Sequence, residues 1–232
     1  MSDLSKPDRK RVLLSWSSGK DSAWTLHQLK QDKDIEVVGL LTTFNAEFER
    51  SAIHGVRVQL VRMQAEAAGL PIMEVPLPWP CSNEDYEEIM AEALQQAREK
   101  FAMDAIAFGD LFLEDIRAYR EQKMAGTGLE LLFPIWGIPT ADLAQQMING
   151  GLKATITCID PRHLDKAIAG NNFDKDLLSS LPENVDPCGE NGEFHSFAWD
   201  GPMFDFPINI RQGEVVERDG FVYADIIPAQ AT

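Results

Sequence analysis

Continuous apolar runs alternate with helical repeats along the first part of the chain. "RVLLSW" at 11–16 and "IEVVGLLTTF" at 35–44 lack polar alternation, which is typical of strands that are buried on both faces. Between them, "DSAWTLHQLKQ" places Ala23, Leu26 and Leu29 at helical spacing. "VRVQLVRMQAEAAG" is amphipathic and stops at Gly69. This pattern predicts two strand–helix units in succession.

The same alternation continues to about residue 136. "LPIMEVPLP", "DAIAFG" and "LELLFPIWG" predict three more strands. Ser82 and Asp85 form a capping box before the long acidic helix "NEDYEEIMAEALQQAREKF", and "EDIRAYREQKMAG" predicts another helix. Strands separated by helices predict a doubly wound parallel sheet, and a ligand is then expected at the carboxyl ends of the strands.

The pattern changes after residue 136. Thr140 is expected to cap a helix "ADLAQQMING", and "LKATITCID" to form a strand. The segment 171–204 is expected to be mostly loop with one short helix, and 206–228 to be a hairpin that turns at "QGE" or "RDG". The predicted fold is α/β, with a nucleotide-binding domain at 1–135 and a smaller α+β domain at 136–232 that forms the other wall of a cleft.

Composition narrows the class of protein. The 232 residues are 44% apolar with a formal net charge of -16, so binding to bulk nucleic acid is disfavoured. No apolar run approaches the ~20 residues of a membrane helix, and the polar start carries no signal-peptide pattern. Three well-separated cysteines indicate a reducing cytoplasm. A zinc site from Cys158, His163, Cys188 and His195 would match no common zinc spacing.

The candidate chemistry begins with "SSGKDS", which stands between the first strand and the first helix. Ser17, Ser18 and Gly19 are small enough to let backbone N–H groups approach a phosphate, and Lys20 adds a full positive charge. The loop is not a Walker A motif, because Asp21 follows the lysine where Ser or Thr would stand.

"SSGKDS" resembles the pyrophosphatase loop, usually SGGKDS, of the N-type ATP pyrophosphatases. This resemblance implies a HUP-type fold and cleavage of ATP between the α and β phosphates, with adenylation of a substrate oxygen. It implies that Asp21 faces Mg²⁺, which favours carboxylate and phosphate oxygens. The nucleotide-binding residues that it implies in the loop are Ser15, Ser17, Ser18, Gly19, Lys20, Asp21 and Ser22.

Further motifs resemble the diphthine–ammonia ligase family over most of the chain. They are "SWSSGKDSAWTLH", "HGVR" at 54–57, "FGDLFLEDIRAYRE" at 108–121, "LFPIWG" at 132–137 and "GENGEFHSF" at 189–197. "SWSSGKDSAW" and "VYADIIP" look most like the bacterial group. Glutamine-dependent relatives carry a further glutaminase domain, and thiolases commonly carry a cysteine pair, both of which this sequence lacks.

"GENGEFHS" is the second candidate for chemistry. Glu190, Glu193 and His195 stand within six residues, and glycines between them allow a tight loop that points polar groups one way. The carboxylates could hold an ammonium group or act as a general base on ammonia, while His195 could donate to a developing oxyanion. The alternative is an acidic surface turn with a structural histidine.

Residues at the ends of two strands and in a nearby loop are also expected to contact the nucleotide. Thr42 and Thr43 end the second strand, and Gly109 and Asp110 end the fourth. The family resemblance places His54 and Gly55 near the nucleotide as well, although His54 could equally cap the next helix.

The sequence therefore predicts an ATP- and Mg²⁺-dependent amide ligase. Its partners would be ATP, ammonia and a carboxylate acceptor, either diphthine on elongation factor 2 or a small molecule. The catalytic residues would be Lys20, Asp21, Glu190, Glu193 and His195. Two alternatives are a nucleotide-binding regulatory module without ligation and a tRNA-modifying enzyme. The oligomeric state is left open, with a homodimer as one option.

Overall fold

A five-stranded parallel sheet forms the first half of the protein. The computed structural model describes residues 9–51 and 55–229. The strands run in the order β3-β2-β1-β4-β5, and their bounds are Lys10–Ser15 (β1), Ile35–Asn45 (β2), Ile72–Leu77 (β3), Ala105–Ala107 (β4) and Glu130–Leu132 (β5). The strand order reverses between β1 and β4, so the crevice for a ligand opens at their carboxyl ends. The predicted doubly wound α/β sheet is confirmed.

Helices cover this sheet and continue into the second half. Their bounds are Lys20–Gln31 (α1), Val58–Ala68 (α2), Asn83–Phe101 (α3), Glu114–Met124 (α4), Thr140–Asn149 (α5) and Lys175–Ser180 (α6). The Ser82–Asp85 capping box is present, and Gly69 ends α2 in the left-handed conformation. The prediction that Thr140 caps α5 was wrong: Pro139 is the N-cap, and Thr140 is the first helical residue.

A four-stranded antiparallel sheet follows, in the order β7-β6-β9-β8. Its strands are Lys153–Ile159 (β6), Phe194–Asp200 (β7), Ile210–Arg218 (β8) and Phe221–Pro228 (β9). Segment 171–204 was predicted to be mostly loop with one short helix: the helix is present as α6, but the prediction missed β7, which pairs along β6. The hairpin turns at "RDG", while "QGE" falls at a register irregularity between Gln212 and Val215.

One apolar core joins the two sheets. Side chains of β1, α1 and α2 pack in the same buried cluster as side chains of β6, β7 and β9. A second cluster fills the other face of the parallel sheet, beneath α3. The shared core fixes β7 against the loop after β1. The domain boundary predicted near residue 135 stays a prediction, and the chain passes between the sheets after Leu132.

Within residues 9–51 and 55–229, none of the helices is long and apolar enough to cross a membrane. The longest of them is α3, which carries acidic residues in its first turn and basic residues in its last turn.

The backbone at the end of α3 supports a stability prediction. Ala102 is exposed and left-handed at φ 46°, where a Cβ is strained and glycine is not. Ala102→Gly should therefore raise the free energy of unfolding by about 0.5–1 kcal/mol, measured by urea denaturation. The matched control is Ala125→Gly at the end of α4, where φ is -57°. That change should not stabilise, and equal effects at both sites would contradict the argument.

Candidate functional site

The loop between β1 and α1 lies at the point where the strand order reverses. Ser17 Oγ accepts a hydrogen bond from the Gly19 amide at 3.3 Å and donates to Ser22 Oγ at 3.1 Å. Gly19 is the N-cap of α1, and among the described residues no side chain caps it. The Lys20 amide donates to Ser196 Oγ at 3.2 Å, and the other first-turn amides and the helix dipole favour an anion in the crevice.

Ser18 stands where the related loop usually has glycine. Its φ is 72°, a left-handed value at which any residue with a Cβ is strained. Its hydroxyl is buried and has no hydrogen-bond partner in the described part of the chain. Serine at this position therefore costs stability that a glycine would not.

The carbonyl of Ser18 ties the loop to the second sheet. It accepts hydrogen bonds from the backbone N–H of Ala198 on β7 at 3.0 Å and from Gln64 Nε2 on α2 at 2.9 Å. Gln64 also donates to the Ala198 carbonyl at 2.6 Å and accepts from Trp16 Nε1 at 2.9 Å. Gln64 is fully buried, so these bonds satisfy both ends of its amide. In the sequence, Gln64 looked like any polar residue on an amphipathic helix.

Lys20 is buried with its charge intact. Only 2% of the residue is exposed. Its Nζ donates to Asp21 Oδ2 at 2.9 Å and to the Cys188 carbonyl, and it lies 5.3 Å from the ring centre of Phe194. Burial is the largest single effect and lowers the pKa of Lys20, but the nearby acidic groups, chiefly the Asp21 carboxylate, together raise the pKa above its ordinary value. A fixed positive charge therefore stands at the floor of the crevice.

The two carboxylate oxygens of Asp21 differ in their hydrogen-bond partners. Oδ2 holds Lys20, whereas Oδ1 is buried and has no hydrogen-bond partner among the described residues. A buried carboxylate oxygen without a partner is costly, and a bound cation would relieve that cost. The geometry therefore fits the predicted Mg²⁺ contact. The described residues contain no group of three or more His, Cys, Asp or Glu side chains that could hold a metal by themselves.

Glu190 and His195 reach the same small cavity as Lys20 and Asp21. This cavity has a volume of about 180 Å³. Glu190 accepts a hydrogen bond from the Leu111 amide at 2.8 Å, and burial raises its pKa to about 7. Burial lowers the pKa of His195 to about 4, so its imidazole is neutral near pH 7. A carboxyl group that titrates near neutral pH can exchange a proton with a substrate.

Glu193 is the member of the motif that the structure places elsewhere. It is buried, and its Oε1 accepts hydrogen bonds from the Asp186 amide at 3.0 Å and from Asn191 Nδ2 at 3.1 Å. It does not line the small cavity. The geometry supports a role in shaping the loop that carries Glu190, and the catalytic role of Glu193 stays a prediction.

The segment after β4 closes one side of the small cavity. Asp110 forms a bidentate ion pair with Arg120 of α4, at 2.5 and 3.0 Å. A Cβ on Gly109 would lie 3.1 Å from backbone atoms of Asp21 and Ser22, so only glycine allows this approach without displacement. Arg120 was not among the predicted site residues, because one arginine in a polar helix gives no distinguishing signal.

A larger cavity of about 480 Å³ adjoins the first and shares its lining at Ser15, Ser17, Phe108 and Arg120. Thr43 lines it, whereas Thr42 is buried beside it. Its other walls are mainly apolar and aromatic side chains of α3 and α4. Its size and lining suit the adenosine half of a nucleotide.

Two predicted nucleotide residues belong to the motif "HGVR". His54 lies outside the described residues. Gly55 lines a different cavity, together with Arg50 and Arg57, and reaches neither the small cavity nor the one beside it. Gly55 and Arg57 therefore contribute to another surface.

Comparisons with known proteins agree with the sequence motifs. A family model described as "Diphthamide synthase N-terminal domain" matches residues 10–130, and one described as "Diphthamide synthase C-terminal domain" matches residues 139–227. Curated proteins named "Diphthine--ammonia ligase" match 93% of this chain. The Bos taurus protein is 26% identical with 88% of its length covered, and the Danio rerio protein is 26% identical with 92% covered.

One solved structure shows a partial similarity. The U34-tRNA thiolase NcsA from Methanococcus maripaludis matches 60% of this chain and 57% of its own length, with 18% identity and a TM-score of 0.38. At this score the similarity supports no inference about fold or function.

The hydrogen bonds of Gln64 predict a large effect of its removal. Gln64→Leu should lower the free energy of unfolding by about 2–4 kcal/mol, because it leaves Trp16 Nε1 buried and unpaired and removes one of the two hydrogen bonds to the Ser18 carbonyl. Denaturant unfolding measures this effect. Gln59→Leu on the exposed face of α2 is the matched control and should change stability by less than about 0.5 kcal/mol. Similar losses in both variants would contradict the assigned role of Gln64.

The strain at Ser18 predicts the opposite effect. Ser18→Gly should raise the free energy of unfolding by about 1 kcal/mol, because it removes a strained Cβ and an unpaired buried hydroxyl. Thermal and denaturant unfolding test this. A loss of stability would mean that the hydroxyl has a partner in the working protein.

Proposed function

Since this chain belongs to the diphthamide synthase family, with curated relatives named diphthine–ammonia ligases, we propose that it is an AMP-forming amide ligase. It would use ATP to adenylate a carboxylate and ammonia to convert the adenylate to an amide. The names of its relatives suggest diphthine as the acceptor, and elongation factor 2 as the protein that carries it belongs to the hypothesis drawn from the sequence.

The observation that carries the proposal is the set of charges in the small cavity. A buried lysine, a carboxylate with one unpartnered oxygen, and a carboxyl group with a pKa of about 7 line the same 180 Å³. A nucleotide-binding module without chemistry would need the lysine alone. The two carboxyl groups suit a reaction that transfers the adenylyl group of ATP and also transfers a proton.

The first half-reaction would take place over the loop after β1. The adenosine would occupy the 480 Å³ cavity, and the phosphates would lie on the first-turn amides of α1. The acceptor carboxylate would attack the α-phosphorus, and pyrophosphate would leave. Lys20 would stabilise the charge that grows on pyrophosphate in the transition state. When bound, Mg²⁺ would be held by Asp21 and would neutralise phosphate charge.

The second half-reaction would take place on the β7 side of the cavity. Ammonia would attack the acyl carbon, the bond to AMP would break, and one proton would have to leave the nitrogen. Glu190 would accept it, because its ionised form can take a proton at neutral pH. The neutral His195 would donate a hydrogen bond to the oxygen that becomes negative in the tetrahedral intermediate.

The other parts of the prediction remain proposals. Cytoplasmic location and weak binding to nucleic acid are expectations from the sequence, and the oligomeric state stays open, with a homodimer as one option. The high negative charge is the physical reason to expect weak binding to tRNA.

The proposed function predicts which products form and in what ratio. Incubation with ATP, Mg²⁺, heavy-nitrogen ammonium and elongation factor 2 that carries diphthine should give AMP, pyrophosphate and labelled acceptor in equal amounts. Lys20→Met should abolish all three products while circular dichroism shows a folded protein, and the exposed Lys175→Met should keep them. ADP as a product, or AMP formation that does not need an acceptor, would contradict the proposal.

The role of Glu190 predicts a pH profile. At a fixed concentration of free ammonia, the rate should rise as Glu190 ionises near pH 7, and Glu190→Gln should be slow and lack this rise. The free energy of unfolding should change with pH in the direction opposite to the rate. The folded protein holds this proton more tightly than the unfolded chain between pH 4.5 and about 7, so the free energy of unfolding falls as pH rises through that window.

Glu190→Gln should remove that part of the fall in stability. A rate rise that persists in Glu190→Gln would assign the proton transfer to another group. Glu183→Gln, on an exposed carboxylate of the loop after α6, is the matched control and should leave both profiles unchanged.

A further inference from the structure

A cavity of about 680 Å³ lies apart from the candidate active site and has a different chemistry. It opens between the β8–β9 hairpin and the residues that lead from β2 to α2. None of its lining residues is shared with the two cavities around Lys20. Its lining includes four arginines, which are Arg50, Arg57, Arg211 and Arg218. In a chain with a net charge of -16, this is a local reversal of sign.

Two of the arginines are fixed in place by one carboxylate. Arg50 Nη1 lies 2.8 Å from one oxygen of Asp225, and Arg57 Nη2 lies 2.6 Å from the other. These ion pairs hold the residues around the β2–α2 connection against β9. Because both oxygens of Asp225 are occupied, the carboxylate cannot also neutralise the other two arginines.

The remaining arginines project from the hairpin. Arg218 lies over the ring of Tyr223 at 5.1 Å, with Asp219 at 3.6 Å. Arg211 has no ion pair among the residues that the structure describes. Four arginines against Asp225, Glu214 and the Asp219 that pairs with Arg218 leave one positive charge among the described residues of the cavity. Such a surplus, in a concave space, attracts an anion.

A buried hydroxyl in the lining also lacks a partner. Thr157 is 2% exposed, and its Oγ1 makes no hydrogen bond within residues 9–51 and 55–229. It stands on β6 where the pairing with β7 shifts register, between Ile156 and Cys158. An unpaired hydroxyl in the wall of a basic cavity is the donor that an oxyanion would use.

A second cavity of about 450 Å³ continues the first. The two share lining residues at Arg50, Gly55, Arg218 and Tyr223. Two aromatic side chains in its lining are unusually exposed, Trp79 at 63% and Phe48 at 50%, and their rings lie 6.1 Å apart. Exposed aromatic rings beside a charged cavity offer an apolar surface to the rest of a ligand.

We propose that this pair of cavities binds a small organic anion, with its oxyanion group at Arg211, Arg218 and Thr157 and its apolar part against Phe48 and Trp79. The planar guanidinium matches phosphate and carboxylate oxygens with two parallel hydrogen bonds. The surplus of positive charge fits a phosphate monoester or a carboxylate. The volume is within the range of small-molecule sites.

Calorimetric titration with phenyl phosphate and with phenylsuccinate tests the site and separates the two sources of negative charge. At least one of them should bind, and the neutral analogue benzyl alcohol should not. Arg211→Ala combined with Arg218→Ala should weaken binding roughly ten-fold or more. Thr157→Val, which keeps the shape of the side chain, should weaken it about three-fold.

Two controls separate this site from others. Arg62→Ala combined with Arg162→Ala removes two exposed arginines elsewhere and should leave the affinity unchanged. Lys20→Met should also leave it unchanged, because Lys20 lines a different cavity. The proposal is overturned if neither probe binds at millimolar concentration, if the Arg211 and Arg218 variant binds as well as the parent, or if Lys20→Met alone abolishes binding.

Discussion

The carbonyl of Ser18 is the point on which the rest of the site depends. It accepts hydrogen bonds from β7 and from Gln64, so the loop after β1 is held between the two sheets. The Lys20 amide adds a hydrogen bond to Ser196 Oγ on β7 at 3.2 Å. The segment with Glu190 leads directly into β7. Seating β7 on the loop therefore brings Glu190 and His195 into the cavity of Lys20 and Asp21, although some 170 residues separate them in the chain.

This arrangement explains how a lysine can be buried with its charge. Removing an ammonium group from water is costly unless nearby groups compensate. Asp21, the Cys188 carbonyl and the rings of Phe173 and Phe194 surround Lys20 and provide that compensation. In such low-dielectric surroundings a fixed charge acts strongly on a bound phosphate. The same surroundings shift the pKa values of Glu190 and His195 toward their neutral forms.

Much of this could be predicted from the sequence, because the local patterns are strong. Uninterrupted apolar runs predicted the parallel strands, and the Ser82–Asp85 pattern predicted the start of α3. β7 was missed because its residues follow a glycine-rich stretch and do not alternate in polarity. Arg120 and Gln64 were missed for a different reason: their roles come from distant partners that only the folded chain brings near. Glu193 shares a motif with Glu190, but the two carboxyl groups have different partners. Glu190 accepts a hydrogen bond from the Leu111 amide, and Glu193 accepts one from the Asp186 amide.

The central claim is that an acceptor carboxylate becomes bonded to the α-phosphorus of ATP. Heavy oxygen in the acceptor carboxylate reports this bond directly, because one labelled oxygen must leave with AMP when ammonia forms the amide. Mass spectrometry of the AMP should find one labelled oxygen per turnover. Unlabelled AMP, with its new oxygen taken from water, would contradict the account.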